Sequence, residues 1–414
     1  MKKKIKRNCI EGLKKPGPPI IIATLPEEAQ AIHNSCKDHG IEVAAFCDNE
    51  LRRVEGGYNG LEVIHTPNLN SRFPKARFII AFFNLEEPTE QLSSLGYDEF
   101  YSPLELLENY DVTRHKHRVK QSYMETKISI NKKSHSMYFD DSKTHLRSLD
   151  IMITTKCSMK CESCANLMQY YVDAKNTDEG IISAVETIND NVDAISEFRI
   201  IGGEPLMNRN WAKIVNGILE KDNKREIFIY TNGTIAPKEA DLESFQGKDI
   251  NFYITNYGKL SKNVDKLIQG LEKYDIGYMN KPADYWVDCS SMKRHNRSPK
   301  DNKTVFKECC AKYLFTLLNG KLYTCPFIAN AANLNAIPIT NADYVDLSSN
   351  TDDLRSKISK LVNMQNFFPA CDFCDGRPQD PTTAKQYDGK GSVLTDCKLS
   401  DSNTSRHCQV SITA

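Results

Sequence analysis

Three cysteines inside one short loop constrain this chain more than any other feature. The stretch Thr154-Thr155-Lys156-Cys157-Ser158-Met159-Lys160-Cys161-Glu162-Ser163-Cys164-Ala165 follows directly on an apolar run, Leu149-Asp150-Ile151-Met152-Ile153. Thiolates gathered this closely repel one another and need a cation, so the loop reads as a set of metal ligands rather than as packing residues. Two metal chemistries fit. The loop can be half of a tetrahedral zinc site. It can also be the ligand set of a cubane iron–sulfur cluster, which takes four cysteines when it only carries electrons. Three thiolates leave one iron open, and an open coordination position points to chemistry.

The spacing Cys157-x3-Cys161-x2-Cys164 resembles the cluster loop of the radical S-adenosylmethionine (SAM) superfamily, and two further motifs carry the resemblance. Downstream, the apolar strand Phe198-Arg199-Ile200-Ile201 runs into Gly202-Gly203-Glu204-Pro205. Glycines allow close approach of backbone to a ligand, and a carboxylate with carbonyls suits an ammonium group. A third strand, Glu226-Ile227-Phe228-Ile229-Tyr230, ends in Thr231-Asn232-Gly233. The resemblance implies a [4Fe–4S] cluster on Cys157, Cys161 and Cys164. It also implies SAM held through its methionine amino group by Gly202, Gly203, Glu204 and Pro205, with Asn232 facing it. Thr255 and Asn256, at the end of the strand Ile250 to Asn256, fall where the family often reaches the SAM ribose. The pattern departs at Ser163, where the family usually carries an aromatic side chain beside the adenine. The fold implied for residues 148–300 is a partial (β/α)6 barrel.

The last third of the chain supplies a second thiol set. Adjacent Cys309 and Cys310 are followed by an apolar alternation broken at Asn319-Gly320, a hairpin signal, and then by Cys325. Cys371-Asp372-Phe373-Cys374 lies well downstream. One of Cys309 and Cys310, with Cys325, Cys371 and Cys374, makes a four-thiolate set fit for a zinc ribbon or an iron–sulfur cluster. It resembles the auxiliary-cluster extensions of radical SAM enzymes called SPASM and, in shorter form, twitch. The run Asp375-Gly376-Arg377-Pro378 lacks the further cysteines of the longer form, so one auxiliary cluster is expected over residues 301–380. Residues 381–414 are poor in apolar side chains and read as a disordered tail; Cys397 and Cys408 within it read as free thiols.

Ahead of the barrel, residues 1–110 alternate apolar strands with helical stretches, the pattern of a parallel, helix-covered sheet. This Rossmann-like α/β domain resembles the front domain of some surface-glycan enzymes. Asp48 follows the second strand, where such domains touch a ribose. The phosphate-binding glycine turn is replaced by Thr24-Leu25-Pro26-Glu27-Glu28, whose carboxylates oppose a pyrophosphate. A docking or scaffold role is therefore expected. Residues 111–147, with His115, His117, His135 and His145, read as a polar linker containing a helix. The fold class is thus α/β: a Rossmann-like domain, a partial radical SAM barrel and a small C-terminal cluster-binding extension.

Charge excludes some functions. The 54 basic and 54 acidic side chains cancel, so no net field draws the chain to nucleic acid or to a membrane surface. No apolar stretch approaches a membrane span. The basic start Met1 to Arg7 is followed by too short an apolar run for a signal peptide. With 14 cysteines, many in metal-ligand spacing, a reducing cytoplasm is the expected compartment. The expected activity is reductive cleavage of SAM, with an electron from a flavodoxin- or ferredoxin-type donor, and hydrogen-atom abstraction from a small-molecule substrate. A carbohydrate or nucleotide sugar undergoing oxidation, epimerisation or dehydration is the first reading. A maturase of a ribosomally made peptide and a non-catalytic electron-transfer protein are the alternatives. Lys259, Arg294, His295 and Arg297 are candidates to neutralise a phosphate, and Trp286 and Asp288 lie near the end of the barrel.

Overall fold

The computed structural model describes residues 5–54, 56–171, 176–221, 225–283, 291–309, 311–348, 353–364 and 366–376, with two short strands, Val393–Leu394 and Val410–Ser411. Cys310, Trp286, Asp288, Cys397 and Cys408 lie outside the described residues, as does most of the stretch expected to be a disordered tail. The chain divides into two compact units, Met1–Lys143 and Thr144–Ala414.

In the first unit the apolar runs form one sheet of six strands, all parallel. The order is Ile5–Lys6, Phe100–Tyr101, Arg77–Ile80, Ile20–Ala23, Ala45–Asp48, Val63–His65. Counting from Ile20–Ala23, five of these strands follow the 3-2-1-4-5 part of the 3-2-1-4-5-6 Rossmann order. Alternate side chains feed two separate cores, one holding Ile20, Ile22 and Phe46 and the other Ile21, Ala45 and Phe78. Two faces are therefore covered, as an all-parallel sheet requires.

Residues 111–143 belong to this unit, where a linker was expected. Helix Gln121–Tyr138 buries Met124 and Ile128 in the first of those cores. One helical turn apart, Asn131 donates to the Ala81 carbonyl at 2.7 Å, and the His135 ring bonds the Phe82 carbonyl at 2.9 Å and the Ser102 hydroxyl at 3.0 Å. These partners lie just beyond the C-terminal ends of Arg77–Ile80 and Phe100–Tyr101. His135 is fully buried, a core histidine and not a solvated one. The helix was expected but its burial was not, because its buried positions include Asn131, Ser134 and His135, polar residues that sequence alone places in solvent.

In the second unit, five strands run parallel in chain order: Ser148–Met152, Phe198–Ile201, Ile227–Thr231, Ile250–Asn256 and Gly277–Pro282. Helices Trp211–Lys221 and Val264–Lys273 bury the apolar stripes Trp211, Ile214, Val215, Ile218 and Val264, Leu267, Leu271 against the sheet. A sixth parallel strand, Leu314–Leu318, pairs with the first strand rather than the fifth. It continues through Asn319 and Gly320, both at positive φ (51° and 71°), into antiparallel Lys321–Tyr323 and then Tyr344–Asp346. The hairpin expected from Asn319-Gly320 is present. Among the described residues the eight-stranded sheet is open, with Gly277–Pro282 and Tyr344–Asp346 at its edges.

Candidate functional site

The first cysteine loop is zipped onto the Gly-Gly-Glu-Pro turn at the C-terminal ends of the first two barrel strands. The amide of Gly203 donates to the Thr154 carbonyl at 3.1 Å, and that of Glu204 to the Lys156 carbonyl at 2.8 Å. Asn166 donates to the Gly202 carbonyl at 2.7 Å and Asn208 to the Ile153 carbonyl at 2.6 Å. Both glycines are required by contact. A Cβ on Gly203 would stand 2.7 Å from Cys157 Cβ and closer still to the Lys156 carbonyl, and one on Gly202 would strike the Thr154 carbonyl. Lys160 folds back within the loop and donates to the carbonyls of Met168 at 2.6 Å and Tyr171 at 2.9 Å.

Glu204 is fully buried. Its carboxylate accepts from the Asn232 amide at 2.7 Å, the Thr231 hydroxyl at 2.8 Å and the Leu206 amide at 3.2 Å. Burial nonetheless pushes its pKa up to about 7 against those three donors. A buried carboxyl in this state gains from a cation brought beside it, and the ammonium of a bound amino acid would supply one. The side chain of Asn232 leaves the third strand toward the loop, donating to Ser158 Oγ at 3.1 Å with Cys157 Sγ 4.0 Å away. Asn256 accepts from the Gly258 amide at 2.9 Å, and Thr255 is half-buried beside it. One neighbour escaped the sequence reading: Tyr257, the next residue, has its phenol pushed up by burial and by the charges of Cys161, Cys164, Cys157 and Glu204. Its place just after the strand that ends in Thr255 and Asn256 was the available signal.

Below this mouth a polar row crosses the sheet on the face away from the helices. Asp150 and Arg199 pair across the first two strands, with Oδ1 3.2 Å from Nε. The Arg199 guanidinium lies 4.4 Å from the Tyr230 ring centroid, and Tyr230 stacks on Tyr253 at 4.9 Å and 23°. Four adjacent strands thus contribute one charged or aromatic residue each. Burial pushes Asp150 up to about 7, opposed by the Arg199 charge. Both tyrosines remain half-exposed, one layer beneath Asn232 and Thr255.

The second set gathers at the opposite end of the first and sixth strands. Cys309 precedes Leu314–Leu318, and the hairpin returns Cys325 to the same end. Cys371 and Cys374 sit in the short 3-10 turn Pro369–Phe373 and just beyond it. Burial, then the charges of Cys309, Cys374 and Cys371, drive the Cys325 thiol far up; burial and the Cys309 and Cys371 charges bring Cys374 to about 12. The described fourth member is therefore Cys309. Each sulfur accepts one main-chain N–H: from Ala311 at 3.3 Å, Ile328 at 3.5 Å, Phe368 at 3.4 Å and Gly376 at 3.4 Å. Arg294, His295 and Arg297 face this turn and not a phosphate site: they pair with Asp372, Asp375 and the turn's carbonyls. Lys259 is exposed.

Burial likewise raises Cys157 and Cys164. Thiols held protonated this firmly are inert unless a metal displaces the proton. Among the described residues no three His, Cys, Asp or Glu side chains converge tightly enough to hold one metal ion. A cubane gives each thiolate its own iron, so its sulfurs stand farther apart than those around a single zinc. Each set is all thiolate, the donor type that an iron–sulfur cluster takes.

In the Asp48 region of the first unit, the carboxylate accepts from the Leu25 amide at 2.8 Å and the Glu50 amide at 2.8 Å, with Arg53 at 3.3 Å. Both Asp48 oxygens are thereby engaged within the unit. Glu28, at the start of helix Ala29–Asp38, is wholly buried against Asn131 at 3.4 Å.

Comparison with known proteins finds likenesses confined to part of the chain. Residues 151–267 match the Radical SAM superfamily. A probable GTP 3',8-cyclase of Methanococcus maripaludis is 28% identical over 141 residues, which are 31% of this chain and 45% of that protein. The GTP 3',8-cyclase of Clostridium acetobutylicum is 27% identical over 141 residues, covering 29% and 43%. The chain thus spans less than half the length of these relatives. Among solved structures, BtrN in complex with AdoMet and 2-DOIA is similar over 55% of this chain and 92% of its own, with a TM-score of 0.36 and 16% identity. Streptococcus suis SuiB is similar over 39% and 45%, with a TM-score of 0.23 and 13% identity.

Proposed function

The chain carries a radical SAM superfamily domain over residues 151–267, and from that premise we propose that it is an enzyme acting on a small polyhydroxylated ring, a sugar or nucleotide sugar. Cys157, Cys161 and Cys164 are assigned to a [4Fe–4S] cluster. The backbone of Gly202, Gly203 and Pro205 and the Glu204 carboxylate are assigned to the methionine end of SAM, and Asn232, Thr255 and Asn256 to its nucleoside end. Bound together and given an electron by a flavodoxin- or ferredoxin-type donor, cluster and SAM supply a 5′-deoxyadenosyl radical able to take hydrogen from an unactivated C–H bond. The protein's own part is to hold the substrate beneath that point and keep water out.

The observation that carries the substrate reading is the row Asp150, Arg199, Tyr230 and Tyr253. Tyr230 and Tyr253 offer hydroxyls and a flat surface to a polyhydroxylated ring, over an Arg199 held from below by the buried Asp150. The four-thiolate set Cys309, Cys325, Cys371 and Cys374 is assigned to an auxiliary cluster, able to accept a second electron in an alcohol oxidation. The first unit serves as a docking scaffold, since Asp48 and Glu28 are committed internally.

Anaerobic reconstitution with iron and sulfide, then assay of 5′-deoxyadenosine under dithionite with nucleotide sugars, free sugars and peptides, tests this. Wild type should form 5′-deoxyadenosine and C157A none. A sugar product should appear, with Y253L raising KM while substrate-free SAM cleavage is unchanged. Zinc in place of iron, or no cleavage, refutes the enzyme reading; turnover of peptides alone refutes the sugar.

A further inference from the structure

The segment entering from the barrel is fastened to the Cys371–Asp375 turn at almost every polar point. His295 N donates to the Asp372 carbonyl at 2.9 Å, and Arg297 N to Asp372 Oδ1 at 2.8 Å. Ser291 donates to the Asp375 carboxylate through its amide at 2.8 Å and its hydroxyl at 2.6 Å. The Arg297 guanidinium then reaches past the side chains to the backbone: Nη1 donates to the carbonyls of Cys374 at 2.8 Å and Cys371 at 3.2 Å, and Nη2 to that of Asp375 at 3.4 Å.

The last of these contacts matters most. The Asp375 carbonyl and the Gly376 N–H belong to one peptide unit. At one end that unit accepts from Arg297; at the other its N–H donates to Cys374 Sγ at 3.4 Å. Positive charge placed on the carbonyl polarises the peptide and strengthens the N–H donated to sulfur, as linked hydrogen bonds do. Hydrogen bonds to ligand sulfurs and nearby positive charge both favour the reduced, more negative state of an iron–sulfur cluster.

We infer that Arg297 is a positioning residue that acts on Cys374 through the Asp375–Gly376 peptide and raises the electron affinity of a cluster held by Cys309, Cys325, Cys371 and Cys374. This rests on the reading of that quartet as an auxiliary cluster site. Arg297 serves as a fork, with both nitrogens engaged on three carbonyls, so lysine preserves its charge but not its geometry.

The test uses the full chain carrying C157A, C161A and C164A, so that only the quartet can take a cluster. It is reconstituted anaerobically, assayed for iron, sulfide and zinc, and titrated electrochemically with low-temperature EPR detection. R297M and R297K should hold as much iron as the parent and show midpoint potentials shifted negative, R297M further than R297K. Should R297M lose its iron, R297K alone carries the test and is still expected to shift negative at full loading. A parent-like or more positive potential in an iron-loaded variant overturns the inference. Zinc, or no metal, in the parent quartet instead overturns the cluster assignment itself.

Discussion

Glu28 offers the sharpest quantitative test of the first unit. It is fully buried at the start of helix Ala29–Asp38, where a helix N-terminus favours an anion, and Asn131 reaches one oxygen at 3.4 Å while the other has no hydrogen-bond partner. Burial wins: the carboxyl is pushed from 4.5 up to about 7. The native state therefore keeps a proton that the unfolded chain has released between these two values. Stability from this group is intact below pH 4.5 and falls as pH rises through 7. At about 1.4 kcal/mol per pKa unit, the loss is roughly 3 kcal/mol. A glutamine in its place cannot ionise, so E28Q should match wild type near pH 5 and exceed it by up to about 3 kcal/mol at pH 8. Hydrogen exchange by mass spectrometry of the intact chain, followed over Ala29–Asp38 and Gln121–Tyr138 and corrected for intrinsic rates, reads this directly. A wild-type-to-E28Q difference that does not change between pH 5 and pH 8 would refute the reasoning.

Three further outcomes are expected. G203A forces a Cβ against the Lys156 carbonyl and to 2.7 Å from Cys157 Cβ; reconstituted protein should lose the iron of the first loop, by iron assay, while retaining that of the second quartet. C309S should lose the second cluster and C310S should keep it, judged by iron and sulfide content, because Cys309 is, among the described residues, a thiol whose charge reaches Cys325 and Cys374. R225M should destabilise the barrel unit by about 2 kcal/mol, the usual worth of hydrogen bonds to a charged group whose partner keeps some contact with water. Arg225 is only 3% exposed and holds Glu186 at 2.7 and 3.2 Å as well as the Ile218 carbonyl; urea unfolding of the full chain measures the loss.

What the sequence made legible was chemistry written in contiguous residues. The Cys157 loop, the Gly-Gly-Glu-Pro turn and the Asn319-Gly320 hairpin each declare themselves within a few positions, because each is a local backbone or ligand requirement. Apolar strands and helix stripes were readable for the same reason. Long-range pairing was not. Nothing local says that Leu314–Leu318 joins the first strand, or that Arg297 turns from a suspected phosphate ligand into a clamp on Cys371 and Cys374. The row Asp150, Arg199, Tyr230 and Tyr253 is likewise invisible until register sets Arg199 opposite Asp150 and Tyr230 opposite Tyr253. Helix Gln121–Tyr138 misleads because its inward face is only partly apolar, and Asn131 and His135 find their partners only in the folded unit.

The sixth strand also explains how two thiol sets can coexist without competing for ligands. It runs parallel to Ser148–Met152, so the loop after the first strand and the residues before the sixth leave the sheet at opposite ends. A five-residue strand rises roughly 16 Å, which keeps the sets apart while fixing both to one pair of strands. A second connection runs outside the sheet. Lys160, inside the first loop, binds the Tyr171 carbonyl at 2.9 Å, and the Tyr171 hydroxyl donates to Asn330 at 2.8 Å and accepts from Asn333 at 2.9 Å. Asn330 and Asn333 stand on helix Pro326–Asn333, whose N-cap is Cys325. Tyr171 thus touches the first loop through its carbonyl and, through its hydroxyl, the helix that starts after Cys325.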